Sequence, residues 1–201
     1  MRFYFCLLIA TFILLYGCQE QATSDKGKTS SSESFSGFSK SSSTQTQIRF
    51  ANVITETPAF NYYTYEYMYN GGGVAAGDIN NDGLEDLYFT GNQVDDKLYI
   101  NEGDLKFKDV TKSAGIKQDG WHNGVTMVDL NADGWLDIYV CRSGPEKDAS
   151  TRTNLFYENK GDGTFVEKAK ELGIADTSRS VQSCFFDMGN DGDLDLSLIH
   201  I

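Results

Sequence analysis

One nine-residue grammar occurs three times in this chain, and its residues carry oxygens suited to holding a hard cation. The first copy is Asp78-Ile79-Asn80-Asn81-Asp82-Gly83-Leu84-Glu85-Asp86. The second is Asp129-Leu130-Asn131-Ala132-Asp133-Gly134-Trp135-Leu136-Asp137, and the third Asp187-Met188-Gly189-Asn190-Asp191-Gly192-Asp193-Leu194-Asp195. Each reads D-x-N-x-D-G-x-x-D, with Gly189 replacing Asn in the third. Side-chain oxygens at positions 1, 3, 5 and 9, with the backbone carbonyl of position 7, form an all-oxygen donor set. Ca2+, which takes roughly 6–8 oxygen ligands, suits it. The expected ligands are Asp78, Asn80, Asp82, Leu84 and Asp86 in the first loop, and Asp129, Asn131, Asp133, Trp135 and Asp137 in the second. In the third they are Asp187, Asp191, Asp193 and Asp195. Gly189 offers no oxygen at position 3, so the third site should be weaker, completed by water or by Asp193. Gly at position 6 lets the chain reverse with φ > 0.

Two other readings compete. An EF-hand needs a bidentate Glu at position 12 and a helix on either side. Position 12 here is Phe89, Val140 and Leu198, and the flanks are short β-prone runs. Strand, loop, strand is therefore the unit. Asp, Asn and Gly are also ordinary turn residues, but three copies of one five-position pattern favour ligation. Carboxylates this dense would also repel one another without a cation.

The elements that carry the loops follow from composition. At 201 residues the chain has room for one large domain or two small ones. Asp and Glu number 29 against 17 Lys and Arg, a formal net charge of −12, which three bound Ca2+ would bring to −6. Without a basic stripe to neutralise phosphates, nucleic acid is excluded as a partner. Hydrophobic content of 40%, with 13 Phe and 11 Tyr, supplies a β-rich core. Two Pro and 20 Gly fit many tight turns rather than long helices.

Between the loops lies a second signature. Leu98-Tyr99-Ile100-Asn101-Glu102-Gly103-Asp104-Leu105-Lys106-Phe107 matches Phe156-Tyr157-Glu158-Asn159-Lys160-Gly161-Asp162-Gly163-Thr164-Phe165. Both read as hairpins, and each leads to Gly-Ile, at Gly115-Ile116 and Gly173-Ile174. Loop starts lie 51 and 58 residues apart, the difference falling in the polar stretch from Arg142 to Asn154. A period of this size with about four strands per unit predicts an all-β fold of β-propeller blades, each a four-stranded antiparallel sheet. The chain accounts for about two full repeats and parts of others, so the propeller is expected to be incomplete here and the chain the front portion of a longer protein. Arg49-Phe50-Ala51-Asn52-Val53 aligns with Lys106 to Val110 as the last strand of an earlier unit.

On these residues the chain resembles FG-GAP/VCBS repeat proteins, whose repeats build integrin α-subunit propellers. Asn70-Gly71-Gly72-Gly73-Val74-Ala75-Ala76-Gly77-Asp78, Leu98-Tyr99-Ile100-Asn101 and Phe185-Phe186-Asp187 are similar to bacterial lipoproteins of the ASPIC/UnbV (cartilage acidic protein-like) group. The resemblance covers about Arg49 to Ile201. It implies a propeller with calcium in its inter-strand loops, often followed by a further ASPIC/UnbV module.

The amino end reads differently. Met1-Arg2 precedes an apolar run to Tyr16, too short for a comfortable membrane span and suited to an export signal over 1–17. Leu15-Tyr16-Gly17-Cys18 resembles a lipobox, which would leave Cys18 as a lipidated first residue. From 18 to 47 the composition turns to Ser, Thr, Lys and Gln, a disordered tether. The folded region is placed at 48–201. Cys141 and Cys184 fall in strand-like runs and are read as buried free thiols, with a disulfide left open.

Other motifs yield to plainer readings. Gly71-Gly72-Gly73-Val74-Ala75-Ala76 satisfies a dinucleotide fingerprint, but a calcium loop follows it rather than a helix. Close approach of strands explains the glycines instead. His122 lacks a nucleophile at readable spacing and is assigned to the surface or an edge. His200 carries no signal. The aromatic run Phe60, Tyr62, Tyr63, Tyr65, Tyr67, Tyr69 is either a contact platform or, preferably, a strand burying one face.

No catalytic or organic-cofactor residues are identified. The expected protein is a calcium-stabilised, lipid-anchored propeller at the cell envelope, binding a protein or glycan ligand, with no enzymatic activity of its own. Glycan capture, or a polysaccharide-degrading enzyme with its active site elsewhere, is the alternative.

Overall fold

The computed structural model describes residues 37–117, 119–145 and 147–201. The export signal, the lipobox with Cys18 and the tether up to 36 lie outside them. The compact unit runs from Lys40 to Ile201. Of the separate unit Met1–Ser39, the described residues 37–39 carry no helix or strand. Part of the stretch read as tether takes a defined shape: Ser43–Thr46 forms one helical turn, α1, capped by Ser42, whose hydroxyl accepts the Gln45 N–H. A short Ser/Thr cap satisfies the first free N–H locally, without any apolar burial.

Two four-stranded antiparallel sheets follow, each a meander in chain order. The first blade is β1 (Val74–Gly77), β2 (Asp86–Phe89), β3 (Lys97–Asn101) and β4 (Phe107–Asp109). The second is β5 (Trp121–Val128), β6 (Asp137–Ser143), β7 (Leu155–Asn159) and β8 (Phe165–Glu167). A two-stranded sheet of β9 (Ser180–Phe186) and β10 (Asp195–His200) repeats the opening of a blade. The first strands lie side by side, β1 against β5 and β5 against β9. These are propeller blades: each sheet buries one face on its neighbour, because a single twisted sheet has no core of its own.

The core sits between the blades. Tyr88 and Leu98 of the first blade pack with Val125, Ile138, Val140, Leu155 and Tyr157 of the second. Tyr139, Cys141 and Phe156, on the opposite face of the second blade, meet Phe185, Leu196 and Leu198. Every residue of β6 is buried, because this strand is covered on both faces. Glycines set the spacing near the first strands. A Cβ on Gly73 would stand 2.7 Å from the Asn123 carbonyl oxygen, and one on Gly124 would overlap the Val181 carbonyl and the Gln182 side chain.

Three expectations change. Residues 49–53 form no strand: Phe50 stacks on Phe89 at 5.2 Å, and Asn52 donates to Asn92, so they run along the first blade without joining its ladder. The aromatic run is a series of turns rather than a strand. Tyr65 and Met68 are buried with Trp121, while Tyr63 and Tyr69 are exposed, so alternation is lost where turn hydrogen bonds to Asn61 organise the chain. Cys141 and Cys184 are both free, Cys141 buried as expected but Cys184 exposed, since β9 turns that side chain away from the second blade.

Candidate metal centres

All three nine-residue loops occupy one structural position. Each joins the first two strands of a sheet: Gly77 pairs with Asp86, Val128 with Asp137, and Phe186 with Asp195. The first strand thus stops just before position 1, and the next begins at position 9. Gly83, Gly134 and Gly192 at position 6 have φ of 85°, 87° and 93°. Position 4 is left-handed too, with Asn81, Ala132 and Asn190 at 57°, 56° and 53°. The motif grammar does not mark position 4, although Asn is the residue other than Gly best suited to that conformation.

Inside each loop the carboxylates turn toward backbone N–H groups. Asp78 accepts from Asp82 N–H at 3.1 Å through Oδ1 and from Gly83 N–H at 2.7 Å through Oδ2. Asn80 Oδ1 accepts from the same Asp82 N–H at 3.1 Å, so positions 1 and 3 aim oxygens at one point. Asp82 accepts from Leu84 N–H and Asn80 Nδ2, both at 2.9 Å. The second loop repeats this bond for bond through Asp129, Asn131, Asp133, Gly134 and Trp135. In the third loop Asp187 accepts from Asp191 and Gly192 N–H, and Asp191 from Asp193 N–H. Gly189 leaves the position-3 bond unmade.

In the first two loops position 9 lies deeper than the other positions. Asp86 and Asp137 are fully buried. Asp86 accepts from Asn101 N–H at 2.7 Å and Ile79 N–H at 3.1 Å; Asp137 accepts from Asn159 N–H at 2.9 Å and Leu130 N–H at 3.2 Å. Asp195 is exposed and accepts from Met188 N–H at 3.0 Å. Burial raises the Asp86 carboxyl, two N–H bonds oppose it, and Asp82 and Asp78 add to the rise. For Asp137 burial dominates, with Asp133 and Glu158 contributing, and the carboxyl is pushed up to about 6. Buried carboxylates are tolerated when a positive charge accompanies them. Among the described residues no Lys, Arg or His forms an ion pair with any loop carboxylate.

The donor chemistry fits a hard cation: carboxylates, an amide oxygen and backbone carbonyls, with no sulfur or imidazole. Among the described residues no three His, Cys, Asp or Glu side chains gather tightly enough to cage an ion. The loop oxygens rest instead on N–H groups, and a carboxylate oxygen has a second lone pair free for a ligand. The Trp135 ring packs on Gly161 of the β7–β8 turn, where a Cβ would come within 3.0 Å of it. The loops also touch one another, Asn81 Nδ2 donating to the Gly134 carbonyl at 3.0 Å.

The first hairpin asparagines supply what the loop motif omits. Asn101 and Asn159 hold position 9 through their N–H groups. Their side chains donate to carbonyls of the loops, Asn101 to Glu85 and Asn159 to Ile79 and Leu136. Their recurrence one blade apart was visible; their link to the loops was not.

His122 is misassigned by the sequence. It is 2% exposed, with Nδ1 2.6 Å from Oδ2 of buried Asp96. A bulge in β5 between His122 and Val125 breaks the alternation that would signal burial. Asp96 also accepts from Tyr88 Oη at 2.7 Å and from Gly91 N–H at 2.8 Å.

Residues 78–140 match the family model described as FG-GAP-like repeat. The match runs from the first loop to the strand after the second, so the repeat in sequence straddles the boundary between blades. Over 102 residues, half of this chain, the protein is 35% identical to cartilage acidic protein 1 of Xenopus tropicalis. The aligned part is 15% of that relative's length.

Proposed function

We propose that this FG-GAP-repeat chain is a calcium-stabilised propeller segment, exported and lipid-anchored through Cys18, that binds a protein or glycan partner at the cell envelope and catalyses no reaction. The observation that supports calcium is the threefold recurrence of carboxylate loops without a cationic side chain, two of them with a buried position-9 carboxylate. Ca2+ would be held by Asp78, Asn80, Asp82, Asp86 and the Leu84 carbonyl, and by the corresponding residues of the second loop. Asp187, Asp191, Asp193 and Asp195 form the weaker third set. Its role is structural: the ion neutralises the bend between two strands and so stabilises the blade. Export and the anchor rest on the apolar run and Leu15-Tyr16-Gly17-Cys18.

Calorimetric titration of the chelated protein tests the metal. Two sites with Kd of roughly 10⁻⁴–10⁻³ M and a weaker third are expected, with the melting temperature rising as they fill. A melting temperature indifferent to EDTA and to restored Ca2+ overturns the reading. Labelling with radioactive palmitate, lost in Cys18→Ser, tests the anchor.

A further inference from the structure

We propose that Asn159 and Asn81 are positioning residues that couple the first two loops, so that Ca2+ bound in one raises the affinity of the other while the third loop fills independently. The inference rests on the calcium reading above and deepens it, from separate sites to a coupled pair.

The first observation is an unbroken chain of hydrogen bonds between the two buried position-9 carboxylates. Asp86 Oδ2 accepts the Ile79 N–H at 3.1 Å, and the Ile79 carbonyl accepts from Asn159 Nδ2 at 2.8 Å. The Asn159 N–H in turn donates to Asp137 Oδ1 at 2.9 Å. Two residues 80 positions apart thus connect one carboxylate to the other. Asn159 Nδ2 also donates to the Leu136 carbonyl, position 8 of the second loop, at 3.1 Å. Asn159 and Ile79 are both buried, so water cannot readily replace a bond that shifts.

The second observation is a separate bridge at the exposed side of the loops. Asn81 Nδ2, at position 4 of the first, donates to the carbonyl of Gly134, at position 6 of the second. The Gly134 N–H is held by Asp129, the first residue of that loop.

The third observation is that these bridges belong to one pair of loops. Ala132 stands at position 4 of the second loop and carries no donor. Among the described residues no hydrogen bond joins the second loop to the third.

The sign of the coupling follows. Ligation of one loop fixes Ile79 and Asn81, or their partners across the junction. The other loop is then partly ordered beforehand and gives up less conformational freedom when it binds. Charge acts in the opposite sense, because an ion in one loop repels an ion entering its neighbour. Positive cooperativity therefore marks the hydrogen-bonded link.

Each position-6 N–H donates to the position-1 carboxylate of its own loop. The amide peaks of Gly83, Gly134 and Gly192 thus report the three loops separately when the full, chelated chain is titrated with Ca2+. Gly83 and Gly134 should follow one sigmoidal curve, and Gly192 a separate hyperbolic one. Asp133→Ala should weaken binding at Gly83 at least about fivefold, and Asp82→Ala should weaken it at Gly134 by the same factor, since coupling is reciprocal. Both effects should shrink in Asn159→Ala, and in Asn81→Gly, which keeps the left-handed backbone without the amide. Asn81→Gly carries the comparison alone if Asn159→Ala does not fold. The coupling should persist in about 0.5 M KCl, where charge effects are screened. Independent hyperbolic curves for Gly83 and Gly134 overturn this inference and leave the calcium reading standing. Cooperativity undiminished in the asparagine variants also overturns it. Peaks unmoved by millimolar Ca2+ overturn both.

Discussion

The backbone N–H of Asn159, last residue of β7, donates at 2.9 Å to Oδ1 of Asp137, first residue of β6. Oδ2 of the same carboxylate takes the Leu130 N–H at 3.2 Å. One buried side chain thus joins an acidic loop to the third strand of its blade, and Asp86 does the same with Asn101 and Ile79. Position 9 is therefore a strut in its own right, in addition to any part in holding an ion.

Asp137→Ala should cost about 2–4 kcal/mol in chelator, because two backbone N–H groups lose their acceptor. Asp195→Ala, which removes one exposed bond, should cost less than about 1 kcal/mol. Urea unfolding of the two variants in EDTA measures the difference, and equal losses would deny position 9 this structural role.

Asp82→Ala should destabilise the calcium-loaded protein more than Asp193→Ala. The Asp82 carboxylate accepts two hydrogen bonds and sits at position 5 of the complete first loop. Asp193 is at position 7, where the expected ligand is a backbone carbonyl that survives the substitution. Thermal melts at fixed millimolar Ca2+ make the comparison; the reverse order contradicts the assignment of positions.

Ala132 holds φ at 56°, where Asn81 and Asn190 stand in the sister loops. A Cβ-bearing residue without a local hydrogen-bonding group is strained there by roughly 1–2 kcal/mol. Ala132→Gly and Ala132→Asn should each raise stability by about 0.5–1 kcal/mol. Chemical denaturation checks this, and a loss in both would show that position 4 bears another constraint.

The two strand cysteines should differ sharply toward thiol reagents. Burial pushes the Cys141 thiol up to about 11, the Ser183 hydrogen bond opposing and Asp176 adding to the rise. At pH 8 only about one molecule in a thousand carries that thiolate, and the thiolate is the nucleophile. With Cys6→Ser and Cys18→Ser in place, one equivalent of a maleimide should react quickly, at exposed Cys184. The second should react only on unfolding or as the pH approaches 11. Mass spectrometry of the native protein finding Cys141 labelled first would refute this.

The sequence by itself determined whatever is encoded within a few contiguous residues. Nine residues suffice to specify an acidic bend, because its hydrogen bonds run from side chains to N–H groups two to five positions on. Strand limits, the position-6 glycine and the repeat of four-strand blades followed from that. Tertiary structure alone decided contacts made by residues far apart in the chain. Tyr65 is buried by reaching Ser143 at 2.8 Å, 78 residues away, so its turn-rich segment gives no strand period. His122 is buried by Asp96, 26 residues earlier, after a bulge that displaces it from the alternation of its strand. Pairings of that kind depend on how one blade seats against the next, and local pattern carries no record of it.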